Sequence, residues 1–260
     1  MPKIYDNIEN HLIQGLNDTL EVSQRSDFCV GYFNLRGWKR VADKIDSLKG
    51  GDGNLCRLLI GMQKPPIEII RDCFTKTEQG IIDNKTASAI KKRLAQEFRD
   101  QLTIGIPTEE DETGLRKLSR QIKDKKVTVK LFLRHQLHAK LYLMFRDDKI
   151  NPVIGYLGSS NLTLAGLLKQ GELNVDVLEQ DAALKLAKWF NDRWTDQWCI
   201  DISKELIEII DNSWAAERLY SPYHIYLKIA YHLSREARAG LTEFGSICSA
   251  KIKTIPFGYY

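Results

Sequence analysis

The sequence predicts an α/β fold: a mixed, mainly parallel sheet flanked by helices, with a small helical appendage at the C-terminal end. Up to Met62 the chain alternates helical and strand signatures, and each strand is a short apolar run suited to burial on both faces of a sheet. Strands separated by helices in this way pair in parallel as βαβ units. The size agrees, because 260 residues with 43% hydrophobic and 28% charged content form one sizeable core, or one domain with a small addition. The expected division is a domain over 1–199 and a helical extension over 200–260.

In chain order, Ile8, Leu12, Leu16 and Leu20 recur at helical spacing, and Ser26–Phe33 reads as a buried strand. Asn34–Trp38 is a turn at what is expected to be a strand's carboxyl end, where open α/β sheets hold ligands. Arg36 there is a candidate phosphate contact, and equally a surface arginine packed on Trp38. Trp38–Leu48 is helical, with Val41, Ile45 and Leu48 on one face. Asn54–Met62 is a second apolar strand after the Gly50–Gly53 turn. Pro65 opens a helix carrying Ile67, Ile70 and Phe74. Asn84 caps another, with Ile90, Leu94 and Phe98 as its stripe.

Acidic residues 109–112 favour a helix start, and Leu115, Leu118 and Ile122 continue that helix. Its other face carries Arg116, Lys117, Arg120 and Lys123. Lys117 and Arg120 are candidate backbone contacts to a nucleic acid, although solvation alone also accounts for such a face. Val127–Leu133 is a strand. After Val177, Asp181 starts a helix bearing Leu184, Ala187, Trp194 and Trp198, whose tryptophans read as core. Further helices are expected over Lys204–Trp214 and from Ser221–Pro222 to Arg238, ended by Gly240.

The chain is organised around Leu137–Val177. Strand alternation puts His138 and Lys140 on one face of Leu137–Leu143, opposite Leu137, Ala139, Leu141 and Leu143. Arg146–Pro152 is a hairpin connection. Gly158-Ser159-Ser160-Asn161 is a polar turn leading into Leu162–Leu168, a candidate helix whose first N–H groups would favour an anion. Leu173, Val175 and Val177 alternate with Glu172, Asn174 and Asp176. These groups suit phosphodiester cleavage. His138 can attack phosphorus if a carboxylate, for which Glu172 is the candidate, orients the ring and stabilises its cation. Lys140 and Asn161 can hold the non-bridging oxygens, with Ser159 as an added donor. Ser160 and Asn174 are candidate substrate contacts.

His138-Ala139-Lys140, Gly158-Ser159-Ser160-Asn161 and Glu172, in this order, resemble the HxK…GSxN signature of the phospholipase D superfamily. The likeness is nearest to its nuclease branch and to the domains attached to restriction enzymes and bacterial helicases. Much of the superfamily has an Asp where this chain has Phe145, while the nuclease branch often uses a Glu beyond the GSxN turn, as Glu172 would serve. The signature covers about forty residues, and Val30–Trp38 and Ser221-Pro222-Tyr223 extend the likeness more faintly. The resemblance implies a phospholipase D-like fold and an active site that needs two His-Lys sets. One chain holds one set, so a homodimer with a composite site is implied.

Net charge +4 and a pI near 8.7 are compatible with a polyanionic partner, DNA or RNA. No apolar run has membrane-span length, and residues 1–6 lack a signal-peptide core, so a cytoplasmic protein is expected. Five scattered cysteines, without a Cys-x-x-Cys pair, read as reduced thiols, with Cys29 and Cys56 filling core. The five histidines lack metal-ligand spacing; His135 reads as a loop-end residue, and neither metal nor cofactor is expected.

The expected function is a metal-independent phosphodiesterase, a DNA endonuclease of restriction or defence type working through a phosphohistidine. The alternatives are a catalytically silent DNA-binding or dimerisation module of a helicase system and, third, a phospholipase. No Walker motif is present, so a helicase or ATPase would be a separate domain or subunit.

Overall fold

The computed structural model describes residues 2–51, 53–61, 84–102 and 109–212. The strands are β1 (Ile4–Tyr5), β2 (Ser23–Val30), β3 (Cys56–Ile60), β4 (Val127–Phe132), β5 (Leu141–Arg146), β6 (Val153–Gly158), β7 (Asn174–Val177) and β8 (Cys199–Asp201). The helices, renumbered in chain order, are α1 (Leu12–Glu21), α2 (Leu35–Asp46), α3 (Asn84–Leu102), α4 (Glu109–Lys123), α5 (Gln180–Trp194) and α6 (Ser203–Asp211). A short π-helix occupies Ala165–Lys169. The helix expected from Pro65, Cys73, the C-terminal helix from Ser221, and the tail with Cys248 lie outside the described residues.

The strands form one sheet in the order β1-β7-β6-β5-β2-β3-β4-β8. Helices flank it, as expected for an α/β protein, but the parallel pairing is narrower than expected. Among the described residues only β2–β3 and β3–β4 are parallel, each joined by a helical crossover, while the other five junctions are antiparallel. Chain connection accounts for much of this. A short hairpin links β5 to β6, and it can join antiparallel neighbours only. In that hairpin Asp148 Oδ1 accepts from the Ile150 and Asn151 amides.

Strand alternation sorts the core into two layers. On one face Phe28, Val30, Leu58, Ile60, Val129, Leu131, Tyr142 and Met144 pack beneath α1, α2, α3, α4 and α6. On the other, Cys29, Leu59, Leu141 and Leu143 meet Ala183, Ala187, Phe190 and Trp194 of α5. Burial of aromatic and aliphatic side chains at about 1.5–3 kcal/mol each makes these layers the main source of stability. Trp38, Val41 and Ile45 face the larger layer, and the Trp38 indole N–H donates to buried Gln121 Oε1 at 2.9 Å. The expected stripes of α3 and α4 are buried there too, except that Ile90 is only partly covered. The periodic reading misplaces Ile8 and Leu184, which are 75% and 54% exposed. Ile8 precedes α1, in a turn whose amides are held by Asp6 Oδ1. The residue 199/200 division falls within β8, whose Cys199 pairs with Phe132 of β4.

Cys29, Cys56 and Cys199 are free and buried, and burial pushes each thiol up to about 12. They are therefore inert core groups at neutral pH. On the α5 face, fully buried Asp27 accepts from Arg25 Nη2 at 2.6 Å and from Arg57 Nε at 2.6 Å. Arg57 also lies over the Phe190 and Trp194 rings and bonds Asn191 of α5, tying helix to sheet.

Asp27→Ala leaves two guanidiniums facing each other in the protein, so we expect a loss of about 3–5 kcal/mol in urea unfolding. The amides of Asn151 and Ile150 hold the Asp148 carboxyl below its ordinary range, against a small opposing effect of burial, and Arg146 adds to the lowering. A lowered carboxyl stabilises the fold above its unfolded pKa, and that contribution disappears as pH falls through the depressed value. Thermal melts taken from about pH 6 down to about pH 2 should therefore fall less steeply for Asp148→Asn than for the wild type.

Candidate active site

The site forms where the carboxyl ends of β2 and β3 meet the segment entering β5. The ladder between β2 and β5 ends at the Cys29–Leu141 pair, so His138 and Lys140 lie just before the strand rather than within it. The alternation expected of them nevertheless persists. Leu137 is buried with the α5-side cluster and Ala139 packs against it, while His138 is exposed and Lys140 half-buried. This segment lies on glycine. A Cβ at Gly31 would stand 2.9 Å from the Leu137 carbonyl oxygen, and one at Gly61 would stand 2.5 Å from the same atom. The Gly31 position is also 3.5 Å from His138 Cα and 3.6 Å from Asn161 Oδ1, so the histidine backbone and the asparagine amide share this space.

Asn161 is held by its own amide. Its Oδ1 accepts from the Tyr32 N–H at 3.0 Å, which makes Nδ2 the donor end left for a ligand. A parallel bridge between Phe33 and Leu162, and the Asn34 amide donating to the Leu162 carbonyl at 3.2 Å, dock the turn against the start of α2. Lys140 Nζ donates to the His138 carbonyl at 2.7 Å, which keeps the ammonium beside the histidine. Among the described residues the His138 ring has no hydrogen-bond partner.

The expected helix after Asn161 is a single π turn, and two of its amides are already engaged. Gly166 N donates to Thr163 Oγ1 at 3.0 Å and Leu167 N to the Thr163 carbonyl at 3.0 Å. The N–H groups of Gly166 and Leu167 are therefore not free to seat an anion. Glu172 is also placed differently from its expected pairing with His138. It accepts a hydrogen bond from Ser159 Oγ, while the Leu173 amide donates to that same oxygen at 3.0 Å. Ser159 is thus engaged on both its donor and acceptor sides.

Ser160 and Asn174, expected as substrate contacts, are buried beneath the turn at 0% and 2% exposure. Asn174 Nδ2 donates to Ser160 Oγ at 2.8 Å, and Asn174 Oδ1 accepts from the Ser160 amide at 3.2 Å. Tyr142 closes the group, its hydroxyl donating to the Ser160 carbonyl at 2.8 Å. Burial raises the Tyr142 hydroxyl well above its ordinary pKa, with the Cys29 thiol and the Glu172 charge adding to the rise, so it remains a donor. These residues brace the turn from below.

The three expected cationic contacts are engaged with carboxylates. Arg36 lies 3.7 Å from Asp111, Lys117 bridges Asp43 and Asp46, and Arg120 reaches Asp46 at 3.1 Å. Burial raises the Asp46 carboxyl, but hydrogen bonds from Gln121 and Lys117 and the nearby cationic charge outweigh it and hold the group low. Lys117 and Arg120 of α4 are thus paired with carboxylates of α2. The position that carries Asp in much of the superfamily, Phe145, has Arg25 over its ring at 4.0 Å. Gly31 and Tyr32 belong to the Val30–Trp38 stretch that extends the family likeness, whereas Gly61 is marked in the sequence only by standing at the end of an apolar strand.

A methyl group at Gly61 must displace the Leu137 carbonyl, so Gly61→Ala is expected to cost about 1–3 kcal/mol in urea unfolding. Gly171 has open space around its Cβ position, and Gly171→Ala should stay within about 0.5 kcal/mol of the wild type.

The profile of the family described as "Cardiolipin synthase, PLD-like domain" matches residues 19–194, a span that contains β2 to α5 and every candidate site residue. No curated protein matches the chain in sequence. Among solved structures, it is similar to Nuc of Salmonella typhimurium, a phospholipase D family member, at 10% identity and a TM-score of 0.45, covering 77% of this chain and 97% of that one. NucT from Helicobacter pylori gives 11% identity and a TM-score of 0.45, with 77% and 98% covered. The phosphatidylserine synthase of Haemophilus influenzae Rd KW20 gives 16% and 0.46, covering 93% of this chain and 46% of that one. With two thirds of its length matched by the profile, and the His-x-Lys and Gly-Ser-x-Asn segments meeting at one end of the sheet, the chain belongs to the PLD-like domain family of the phospholipase D superfamily.

Proposed function

We propose that the protein is a metal-independent phosphodiesterase acting on nucleic acid, and that its site is completed by a second copy of the chain. The observation that carries this reading is the meeting of the His138 backbone and the Asn161 amide around Gly31, with Lys140 tied to the His138 carbonyl. An exposed imidazole, an ammonium and an amide donor are thereby grouped without a buried competitor. That is the set a phosphoryl transfer uses for attack and for charge stabilisation.

In the proposed reaction His138 attacks phosphorus and the P–O bond to the leaving group breaks. The second copy's His138 gives that oxygen its proton. The resulting neutral imidazole then takes a proton from water, whose oxygen attacks phosphorus and breaks the P–N bond, regenerating both rings. Lys140 and Asn161 hold the non-bridging oxygens through both steps. Glu172 has one oxygen on Ser159 and a second to accept a ring N–H from a histidine. Ser159 then acts by holding this carboxylate. DNA is the favoured substrate, and a restriction or defence role in the cytoplasm, with a helicase or ATPase partner, is the setting that the sequence resemblance favours.

Plasmid DNA incubated with the protein in EDTA should be nicked, and His138→Ala should lower the rate by about 10³-fold or more. Light scattering at micromolar concentration should give the mass of a dimer. Binding without cutting would replace this reading with that of a silent module. Monomer alone would remove the shared site, and choline release from phosphatidylcholine without DNA cleavage would point to lipid.

A further inference from the structure

We infer that the N-terminal segment, residues 3–7, is a strap that positions the candidate site, and that Asn7 is its positioning residue. This inference rests on the reading of the site given above. Asn7 is 7% exposed and holds a left-handed backbone with φ 60°, a conformation that asparagine tolerates better than most side chains. Its amide is used at both ends. Nδ2 donates to the Gly166 carbonyl at 2.7 Å and to the Gln170 carbonyl at 3.1 Å, while Oδ1 accepts from the Leu12 amide at 3.0 Å. One side chain thus caps the start of α1 and clasps the π turn across more than 150 residues of chain.

Gly166 is the link to the site. A Cβ there would stand 2.7 Å from the Asn161 carbonyl oxygen and 3.1 Å from the Asn161 amide nitrogen, so the backbone that Asn7 holds is pressed against Asn161. The same segment grips the far side of the site. The Glu172 amide donates to the Asp6 carbonyl at 3.2 Å, Asn174 Nδ2 reaches the Tyr5 carbonyl at 3.4 Å, and the Asp176 amide donates to the Lys3 carbonyl at 3.2 Å. Asp6 also fixes the bend that follows, between Asn7 and α1, its Oδ1 accepting from the amides of Ile8, Glu9 and Asn10. The strap therefore sets the distance between Asn161 and Glu172, which lie at opposite ends of the loop carrying the π turn. Displacements of about 1 Å in such groups can cost on the order of 10²-fold in rate without altering the fold.

The test compares Asn7→Asp and Asn7→Gly with the wild type, His138→Ala and a remote core variant, Ile209→Val. Asn7→Asp keeps the acceptor for Leu12 and removes both donors to the π turn. Asn7→Gly keeps the backbone conformation and removes the whole side chain. Cleavage kinetics in EDTA should show kcat lowered about 10–100-fold for both Asn7 variants, with KM within about threefold. Ile209→Val should leave both constants near wild type. Hydrogen exchange should quicken at amides of residues 159–174 in the Asn7 variants, while α4 keeps its protection. If the wild type cuts, His138→Ala does not, and the Asn7 variants keep kcat within about twofold, the strap is overturned and the site reading stands. Unchanged exchange over residues 159–174 overturns it as well. If His138→Ala cuts like the wild type, the site reading falls and takes the strap with it.

Discussion

The close approach of backbone at the carboxyl ends of β2 and β3 is the constraint on which the site depends. Gly31 and Gly61 follow the last residues of two parallel strands, and the absence of side chains there admits the Leu137 carbonyl between them. Because that carbonyl is seated, the next residue rises out of the sheet end with its ring exposed. Because Gly31 is bare, Asn161 reaches the Tyr32 amide from the other side. The two halves of the signature, separate in sequence, are thereby brought to one place by a gap rather than by an attraction.

The rest of the sheet makes that gap rigid. Its parallel centre is covered on one face by α1, α2, α3, α4 and α6 and on the other by α5, so the strand ends cannot tilt without disturbing a packed layer. Asp27, held between Arg25 and Arg57, adds a polar clamp in which one end also reaches α5. The clamp is a costly device in energetic terms, since a buried charge stabilises only while its partners remain in place. Its geometry favours one register of β2 on β3 over any slipped alternative.

Around the Gly-Ser-Ser-Asn turn, exposed and buried residues alternate in role as well as in position. Ser159 is outside and engages Glu172, whereas Ser160 is inside and engages Asn174 and Tyr142. Neighbouring hydroxyls of one chemical type thus serve a carboxylate on the surface and a structural amide beneath it. The acidic residues of α2 likewise change the meaning of α4. Asp43 and Asp46 pair with Lys117 and Arg120, so part of a basic face of the sequence links two helices.

The sequence by itself determined the described helices and buried strands that carry strong periodicity, the β5–β6 hairpin, and the family signature at His138, Lys140, Asn161 and Glu172. Each of these is written in residue type at short spacing, where alternation or a 3.6-residue period reports burial directly. Tertiary structure decided what lies beyond that range. It made most junctions of the sheet antiparallel, turned the helix after Asn161 into a π turn, gave Glu172 to Ser159, buried Ser160 and Asn174, and recruited Asn7 from the other end of the chain. Two-residue strands such as Ile4–Tyr5 have no period to read, and a hydrogen bond between Asn7 and Gly166 leaves no local mark in either segment. Such pairings exist only once the packed layers have set the distances between them.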